Sequence, residues 1–431
     1  MSGRPSATTT SGGRWIPRRH RRSERPVTSD PAQHRDATAR RKRAAQECLD
    51  RRWDTIREIS TGLHADPETA WHEVRAHRRL TALLASEGFT VDPRAGGLDT
   101  AFRATAGSGP VHVAFVAEYD ALPGLGHACG HNLIAAASVG AALMVRAAED
   151  AVPGAGLTVH VIGTPAEEGG GGKILMLEAG QFADIDAAMM MHPGPADAAR
   201  AEPFAVAHWE VTYRGVGAHA AAYPHLGVNA ADGFTVAQVA IGLLRQHLPP
   251  TVRVHGVVTE AGTAPNAVPD LATGRWYVRA ASLSELDDVE RRIRACFTAG
   301  ATATGCELRI RDESPRYSEF RTDEQLLGWF VDNAAALGRD MTSPPPDGAA
   351  AMRTASTDMG NVSQHVRAIH PYLGIGSLPA VNHQRAFADA AVGPLAERAL
   401  RDGATALAWT AIDFAAHAAA TSRCTHSDRA R

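Results

Sequence analysis

The sequence predicts an α/β protein in which a mixed, largely parallel sheet flanked by helices is interrupted by an inserted ferredoxin-like α+β domain. Three observations carry this expectation. Short β-rich runs at Val111 to Ala117 and Leu157 to Ile162 bracket an Ala-rich apolar stretch, Leu133 to Ala148, that reads as a buried helix; strand, helix, strand in that order favours parallel pairing. Each apolar run stops at a polar group: Glu118-Tyr119-Asp120, Thr164-Pro165-Ala166-Glu167-Glu168 and, after Ala188 to Met191, His192-Pro193-Gly194. The carboxyl ends of parallel strands are where open α/β sheets gather functional groups. From residue 206 the pattern changes to β-α-β-β-α-β, the ferredoxin-like order.

The elements follow in order. A chain of 431 residues exceeds one ordinary core and suits a large domain carrying a smaller one. With 44% hydrophobic and 21% charged residues the composition is globular, and no uninterrupted apolar run approaches the roughly 20 residues of a membrane span. The net charge of -3 conceals an asymmetry: residues 1–43 hold twelve Lys or Arg against three acids, which leaves the remainder near -12. This tail, with Arg14, Arg18, Arg19, Arg21, Arg22 and Arg25, lacks the apolar region of a secretory signal. It reads as a disordered extension, with an organellar transit peptide or a nucleic-acid-binding arm as the other readings. Five scattered cysteines argue against a disulfide framework and for a reducing compartment, hence a cytoplasmic protein.

Helices are expected at 44–64 and about 71–88. Within the insert the order is a strand (Ala207 to Tyr213), a helix (Asn229 to Gln246), two strands (Val252 to Thr259, Ala272 to Ala281), a helix (Leu283 to Ala299) and a strand (Glu307 to Arg311). Helices near 323–337 and 388–419, flanking a loop-rich region at 341–384, complete the first domain. The boundaries are then a basic tail at 1–44, a catalytic domain at 45–205 and 314–420, the insert at 206–313 and a second tail at 421–431.

The densest chemical cluster is His127-Ala128-Cys129-Gly130-His131-Asn132. A thiolate and an imidazole two residues apart can converge on one metal from a tight turn that Gly130 permits. Taken alone, the pair reads equally as a buried cysteine and a satisfied histidine. Glu167-Glu168, followed by four glycines, sets two adjacent carboxylates at a strand end. Adjacent side chains diverge, so one can bind a metal while the other handles the proton of an attacking water; the plainer reading is a solvated acidic turn. His192 and His383, the latter in Val381-Asn382-His383-Gln384, are each more often structural when considered singly.

In order and spacing, Glu118-Tyr119-Asp120-Ala121-Leu122-Pro123, His127 to His131, Pro165 to Gly170, Met191-His192-Pro193 and Asn382-His383 resemble the aminoacylase and carboxypeptidase metallopeptidase family. The nearest-looking branch is that of aminobenzoyl-glutamate hydrolases, plant auxin-conjugate hydrolases and β-alanyl-lysine dipeptidase-like amidohydrolases. The resemblance covers roughly residues 45 to 418. It implies a zinc-exopeptidase-like catalytic domain, an inserted lid and dimerisation domain, and two divalent metal ions per subunit, zinc first, with manganese, cobalt or nickel as alternatives. Cys129 would bridge the metals, and His131, Glu168, His192 and His383 would complete the ligand sets. Glu167 would be the general base and then acid, and Asp120 would orient a ligand from behind.

In the insert, Arg214-Gly215-Val216-Gly217-Ala218-His219-Ala220 looks like the family's lid segment. His219 would there stabilise an oxyanion, often in the partner subunit's site. Asn266 and Arg279 match positions that hold the substrate's amide and carboxylate; the plain readings are a turn residue after Pro265 and a strand charge. Asn132 and Ser356-Thr357-Asp358 depart from the wider family's Asp and Ser-Glu-Asp, which bears on substrate identity more than on catalysis.

The expected activity is metal-dependent hydrolysis of a small N-acyl amino acid, an aminobenzoyl-glutamate-like conjugate or a dipeptide, by a homodimer joined through the lid. A peptidase on longer chains and a catalytically silent metal-binding scaffold are the alternatives, although the latter needs a missing ligand or base and every position is filled. A nucleic-acid partner is not expected, because the folded body is acidic and offers no accompanying aromatic motif, nor is a membrane partner, because no long uninterrupted apolar run is present.

Overall fold

The computed structural model describes residues 31–344 and 354–428. Expectations for residues 1–30 and 429–431 lie outside the described residues. The first unit begins with α1 (Pro31–Ala65), α2 (Val74–Ser86), β1 (Thr90–Asp92), β2 (Phe102–Gly107), β3 (Val111–Glu118), α3 (His131–Ala151), β4 (Leu157–Thr164), α4 (Gly172–Glu178), β5 (Ala187–Met189) and β6 (His192–Gly194). The chain then forms a second unit of β7 (Ala205–Arg214), α5 (Ala230–Leu244), β8 (Arg253–Glu260), β9 (Leu271–Ala280), α6 (Leu283–Thr304) and β10 (Glu307–Asp312). It returns through α7 (Glu324–Ala336), α8 (Met359–Ser363), β11 (Arg367–Ile369), β12 (Tyr372–Gly374), α9 (Arg385–Ala390) and α10 (Pro394–Asp428).

The main sheet has the order β1-β2-β4-β3-β5-β11. It is parallel across β4, β3, β5 and β11 and antiparallel at β1, β2 and β4, which is the mixed, largely parallel sheet the sequence predicts. Both faces are covered, so β3 and β4 read as nearly continuous apolar runs. Alternate residues serve opposite cores: Val113, Phe115 and Ala117 pack under α1, α3 and α10, whereas Ala114 and Val116 pack with Ile162, Met176 and Met359. By length and average composition α3, alone among the described residues, could cross a membrane, although polar residues interrupt it. Its apolarity is that of a core helix, since 89% of the apolar window is buried inside the protein.

The second unit is a sheet of order β10-β7-β9-β8, antiparallel throughout. Trp209, Val211, Trp276 and Val278 from one face pack against Phe234 of α5 and Phe297 of α6. Both helices start at capped residues: Asn229 accepts from the Ala231 N–H, and Ser282 from that of Glu285. The connectivity reproduces the predicted β-α-β-β-α-β order.

Three boundaries differ from expectation. Helix α1 begins at Pro31 rather than near residue 44, because part of the basic segment finds partners in the fold. Arg41 donates from Nε to the Val152 carbonyl (2.9 Å) and from Nη2 to that of Pro153 (3.1 Å), placing a cation where α3 ends. Lys42 Nζ reaches Asp413 at 2.7 Å and Asn333 at 2.8 Å. The helix expected at 388–419 is two helices, α9 and α10, with the break at Gly393-Pro394, where proline suits a helix start better than an interior. Helix α10 also runs on past residue 420.

Candidate metal centre

The carboxyl end of β3 delivers Glu118 and Asp120, the turn before α3 delivers Cys129 and His131, β4 leads to Glu167 and Glu168, and β6 opens with His192. His383 arrives from the loop after β12, and its backbone N–H bonds the Ala128 carbonyl at 2.9 Å. Gly130 has φ 77°, and a Cβ there would fall 2.8 Å from Pro193 Cβ, so only glycine lets this turn rest on the segment carrying His192.

The ligand atoms of Cys129, His131 and His192 lie within 4.8 Å of one another, and so do those of Cys129, Glu168 and His383. Two triads thus share the Cys129 sulfur. His192 Nε2 is 3.6 Å from Sγ, and His383 Nε2 is 3.4 Å from Glu168 Oε1. His131 is fully buried; its Nδ1 lies 3.0 Å from Asp120 Oδ1, which fixes the tautomer and turns the Nε2 lone pair into the cluster. That Nε2 has no hydrogen-bond partner, although Glu118 stands at 3.5 Å and Glu167 and Glu168 at 3.9 Å. An orphaned imidazole nitrogen, a thiol and carboxylates converging on one point fit divalent metals of the zinc type. Burial, and then His370, push His192 down to about 3.

The Glu167-Glu168 loop is held along its whole length. Ala166, at φ 56°, lies in the left-handed region that a non-glycine residue seldom adopts, as does His383 at 68°. The Ala166 N–H donates to Glu73 Oε1 (2.9 Å), the Glu168 N–H to Asp120 Oδ2 (3.0 Å) and the Tyr317 hydroxyl to the Glu167 carbonyl (2.8 Å). Burial, and then the neighbouring Glu118 and Glu168, push the Glu167 carboxyl well above its ordinary value.

Beyond the loop, the wholly buried Lys173 sets its ammonium 2.6 Å from Glu118 Oε1 and 2.5 Å from Asp358 Oδ1. Its backbone N–H bonds the other Asp358 oxygen at 2.9 Å. Burial opposes the charge on Lys173, but Asp358 and Glu118 outweigh it and raise its affinity for the proton.

Cys129, Glu167, Glu168, His192, His383 and Arg279 line one cavity of about 770 Å³ between the two units. His131 and Asp120 lie directly behind its floor. His219 and Asn266 do not line it; they are exposed and sit together on the second unit, where the Ala220 N–H bonds the Asn266 carbonyl at 2.9 Å. The sequence assigned no role to Glu73, Glu118, Lys173, Asp358 or Tyr317. Glu118 and Asp358 stood inside motif segments without a role of their own, and Lys173 is one of only two lysines in the chain and directly follows the glycine run.

A sheet with its acids and imidazoles at the strand ends, converging on a shared thiol, defines a metallohydrolase. Residues 114–405 match the peptidase family M20/M25/M40. The chain is 40% identical over 404 residues to the Xaa-Arg dipeptidase of Mus musculus, spanning 90% of this chain and 93% of that protein. It is 33% identical over 292 residues to a p-aminobenzoyl-glutamate hydrolase component of Escherichia coli, spanning 63% and 60%. The fold is shared with a solved Bacillus subtilis protein described as a dinuclear metal binding peptidase of the M20 family, with a TM-score of 0.61, 21% identity and coverage of 84% and 98%. This chain therefore belongs to the peptidase family M20/M25/M40 and is a metal-dependent hydrolase of amide bonds in small substrates.

Proposed function

We propose that the protein hydrolyses the amide bond of a small N-acyl amino acid, an aminobenzoyl-glutamate-like conjugate or a dipeptide, with two divalent metal ions and with Glu167 as general base. The observation that carries the reading is the pair of ligand triads sharing the Cys129 sulfur on the cavity floor, where Glu167 stands beside Glu168. The description of the Bacillus subtilis protein as dinuclear supports the count of two. Cys129, His131, Glu168, His192 and His383 would hold the two ions, with the Cys129 sulfur common to both triads. Metal ions of this kind lower the pKa of water and polarise a carbonyl oxygen.

Glu167 takes the proton from the attacking water and returns it to the nitrogen of the leaving amine. A carboxylate on the cavity floor beside Glu168 is of the type that performs both steps. Asp120 orients His131. Arg279 lines the cavity and holds the carboxylate of the leaving residue. A volume of about 770 Å³ falls within the roughly 300–1,000 Å³ typical of small-ligand sites. The names Xaa-Arg dipeptidase and p-aminobenzoyl-glutamate hydrolase support a small amide substrate while pointing to different leaving residues.

The protein works as a cytoplasmic homodimer joined through the second unit. Support comes from the exposed Val239 and Leu243 on α5 and Val257 on the edge strand β8. His219 and Asn266, exposed on the same unit, serve the partner subunit's site, where His219 steadies the developing oxyanion and Asn266 holds the amide. The free, buried Cys48, Cys129, Cys296 and Cys306 suit a reducing compartment.

The test is hydrolysis, followed by mass spectrometry, of N-acyl amino acids, p-aminobenzoyl-glutamate and β-alanyl dipeptides by protein reconstituted with zinc, manganese or cobalt, with Glu167→Ala as control. Cleavage abolished by the substitution is the expected result. Cleavage that survives it removes Glu167 from the mechanism, and no cleavage with any metal removes the substrate class.

A further inference from the structure

Strand β12 brings a further side chain to the cavity wall beside the ligand cluster. It pairs in parallel with β6, and the register sets Tyr372 opposite His192. The backbone there is held from both sides. The His192 N–H donates to the Pro371 carbonyl (2.8 Å), the Tyr372 N–H to that of Ala198 (2.8 Å), and the Ala198 N–H back to that of Tyr372 (3.0 Å). The ring is enclosed as well: its centroid lies 5.4 Å from that of His192 and 5.2 Å from that of His370, and Ala198 and Ala201 pack against it. Close packing of this kind holds a side chain in one rotamer.

The hydroxyl of this ring differs from the polar groups around it. It has no hydrogen-bond partner among the described residues, yet it is not one of the atoms sealed in the interior. Tyr372 is only 2% exposed and lines the cavity, so the cavity is the space onto which its hydroxyl opens. Other hydroxyls on the cavity wall are tied to the protein. Tyr317 donates to the Glu167 carbonyl at 2.8 Å, Ser356 donates to that of Phe204 at 2.7 Å, and Thr357 Oγ1 accepts from the Met359 N–H at 3.2 Å. The neighbouring His370 has both ring nitrogens closed off in the interior. An uncommitted donor on a rigid wall calls for a partner that arrives with the substrate.

We propose that Tyr372 is a catalytic residue, its hydroxyl donating a hydrogen bond to the oxygen of the scissile carbonyl as that oxygen becomes an oxyanion. The inference rests on the reading above, in which an amide is cleaved at the Cys129 centre. It goes further by giving each subunit a donor of its own, besides the partner subunit's His219. His192, opposite Tyr372, forms one of the two triads with Cys129 and His131, so the hydroxyl shares a wall with the atoms that would hold one ion. A phenol, with a pKa of about 10, is a donor at neutral pH. A donor already fixed in place needs no reorganisation as the charge develops. The proton stays on Tyr372 Oη throughout; Glu167 alone carries the proton from the water to the leaving amine.

The experiment compares the full, metal-reconstituted wild type with Tyr372→Phe, which keeps the ring, its packing and every backbone bond. For the best-cleaved amide of the panel above, kcat is expected to fall by about a hundredfold with KM within about twofold, at unchanged metal content and urea midpoint. Calorimetry with the phosphinate isostere of β-alanyl-leucine, whose tetrahedral phosphorus carries an oxygen where the oxyanion forms, needs no turnover. Tyr372→Phe should weaken its binding by about tenfold or more and leave that of free L-leucine within about twofold. If no amide is cleaved but phosphinate binding still depends on the hydroxyl, the donor stands and the assumed scissile bond falls. Four results overturn the proposal: a wild type that binds no phosphinate, a variant with unchanged kcat and phosphinate affinity, a change confined to KM, or a loss of activity that follows a loss of metal.

Discussion

The carboxylate of Glu73 accepts the backbone N–H of Ala166 at 2.9 Å and that of Trp71 at 3.0 Å. Both donors are non-glycine residues at positive φ, 56° and 67°. Ala166 immediately precedes Glu167, so one buried acid holds the strained bend from which the proposed general base projects. Glu73→Gln keeps the accepting oxygen, whereas Glu73→Ala removes it. The glutamine variant is expected to stay within about threefold of wild-type kcat, and the alanine variant to fall by roughly tenfold or more, with bound metal unchanged by elemental analysis.

The same residue makes stability depend on pH. Burial, and then Asp120, push the Glu73 carboxyl up to about 7, against about 4.3 in an unfolded chain. Between those values the native state binds more protons than the unfolded state, so this contribution is fully present below the unfolded pKa and is lost as pH rises through 7. It amounts to about 4 kcal/mol. Urea titrations at pH 5 and pH 8 should show wild type losing ground to Glu73→Gln at the higher pH. A gap that does not change with pH would rule out this titration.

Glu167→Gln keeps the size of the side chain but cannot accept a proton. Turnover should fall by about 10²–10⁴ while metal content and urea midpoint stay near wild type. A comparable loss of metal would instead make Glu167 a ligand.

Asp120 bonds two elements of the site, His131 Nδ1 through one oxygen and the Glu168 N–H through the other. Asp120→Ala should weaken metal binding by about 10–100-fold, read by competition with a chelator. An unchanged affinity would confine Asp120 to packing.

Lys173 is the ammonium between Glu118 and Asp358. Lys173→Met strands both acids in a buried site and should cost about 3–5 kcal/mol in urea denaturation. Adding Glu118→Gln and Asp358→Asn should recover most of that loss, because the uncompensated charge, rather than the missing contact, carries the penalty.

Much of this architecture could be read from one dimension. The apolar runs at β3 and β4 announced buried strands, and the polar groups at their ends announced the site. Glu73 was not legible, because its partner Ala166 lies 93 residues further on and nothing local distinguishes it from a surface acid. Tyr317 escaped for the same reason, at a separation of 150 residues from Glu167. Composition misled at the start of α1: Arg41 and Lys42 sit in a run that looks like a basic tail, yet their partners are Val152, Pro153, Asn333 and Asp413. The place of β2 beside β4 was equally hidden, since strand order depends on long-range pairing that periodicity does not encode.

The His383 N–H closes on the Ala128 carbonyl, and α10, which follows, packs against α1 and α3. A nascent polypeptide that stops short of position 383 has already delivered its thiol, two imidazoles and both glutamates, but it has neither the last imidazole nor the helix that completes the core. Under the proposed ligand set, hydrolytic competence waits on the segment from His383 onward, and a chain cut before it is expected to be inactive.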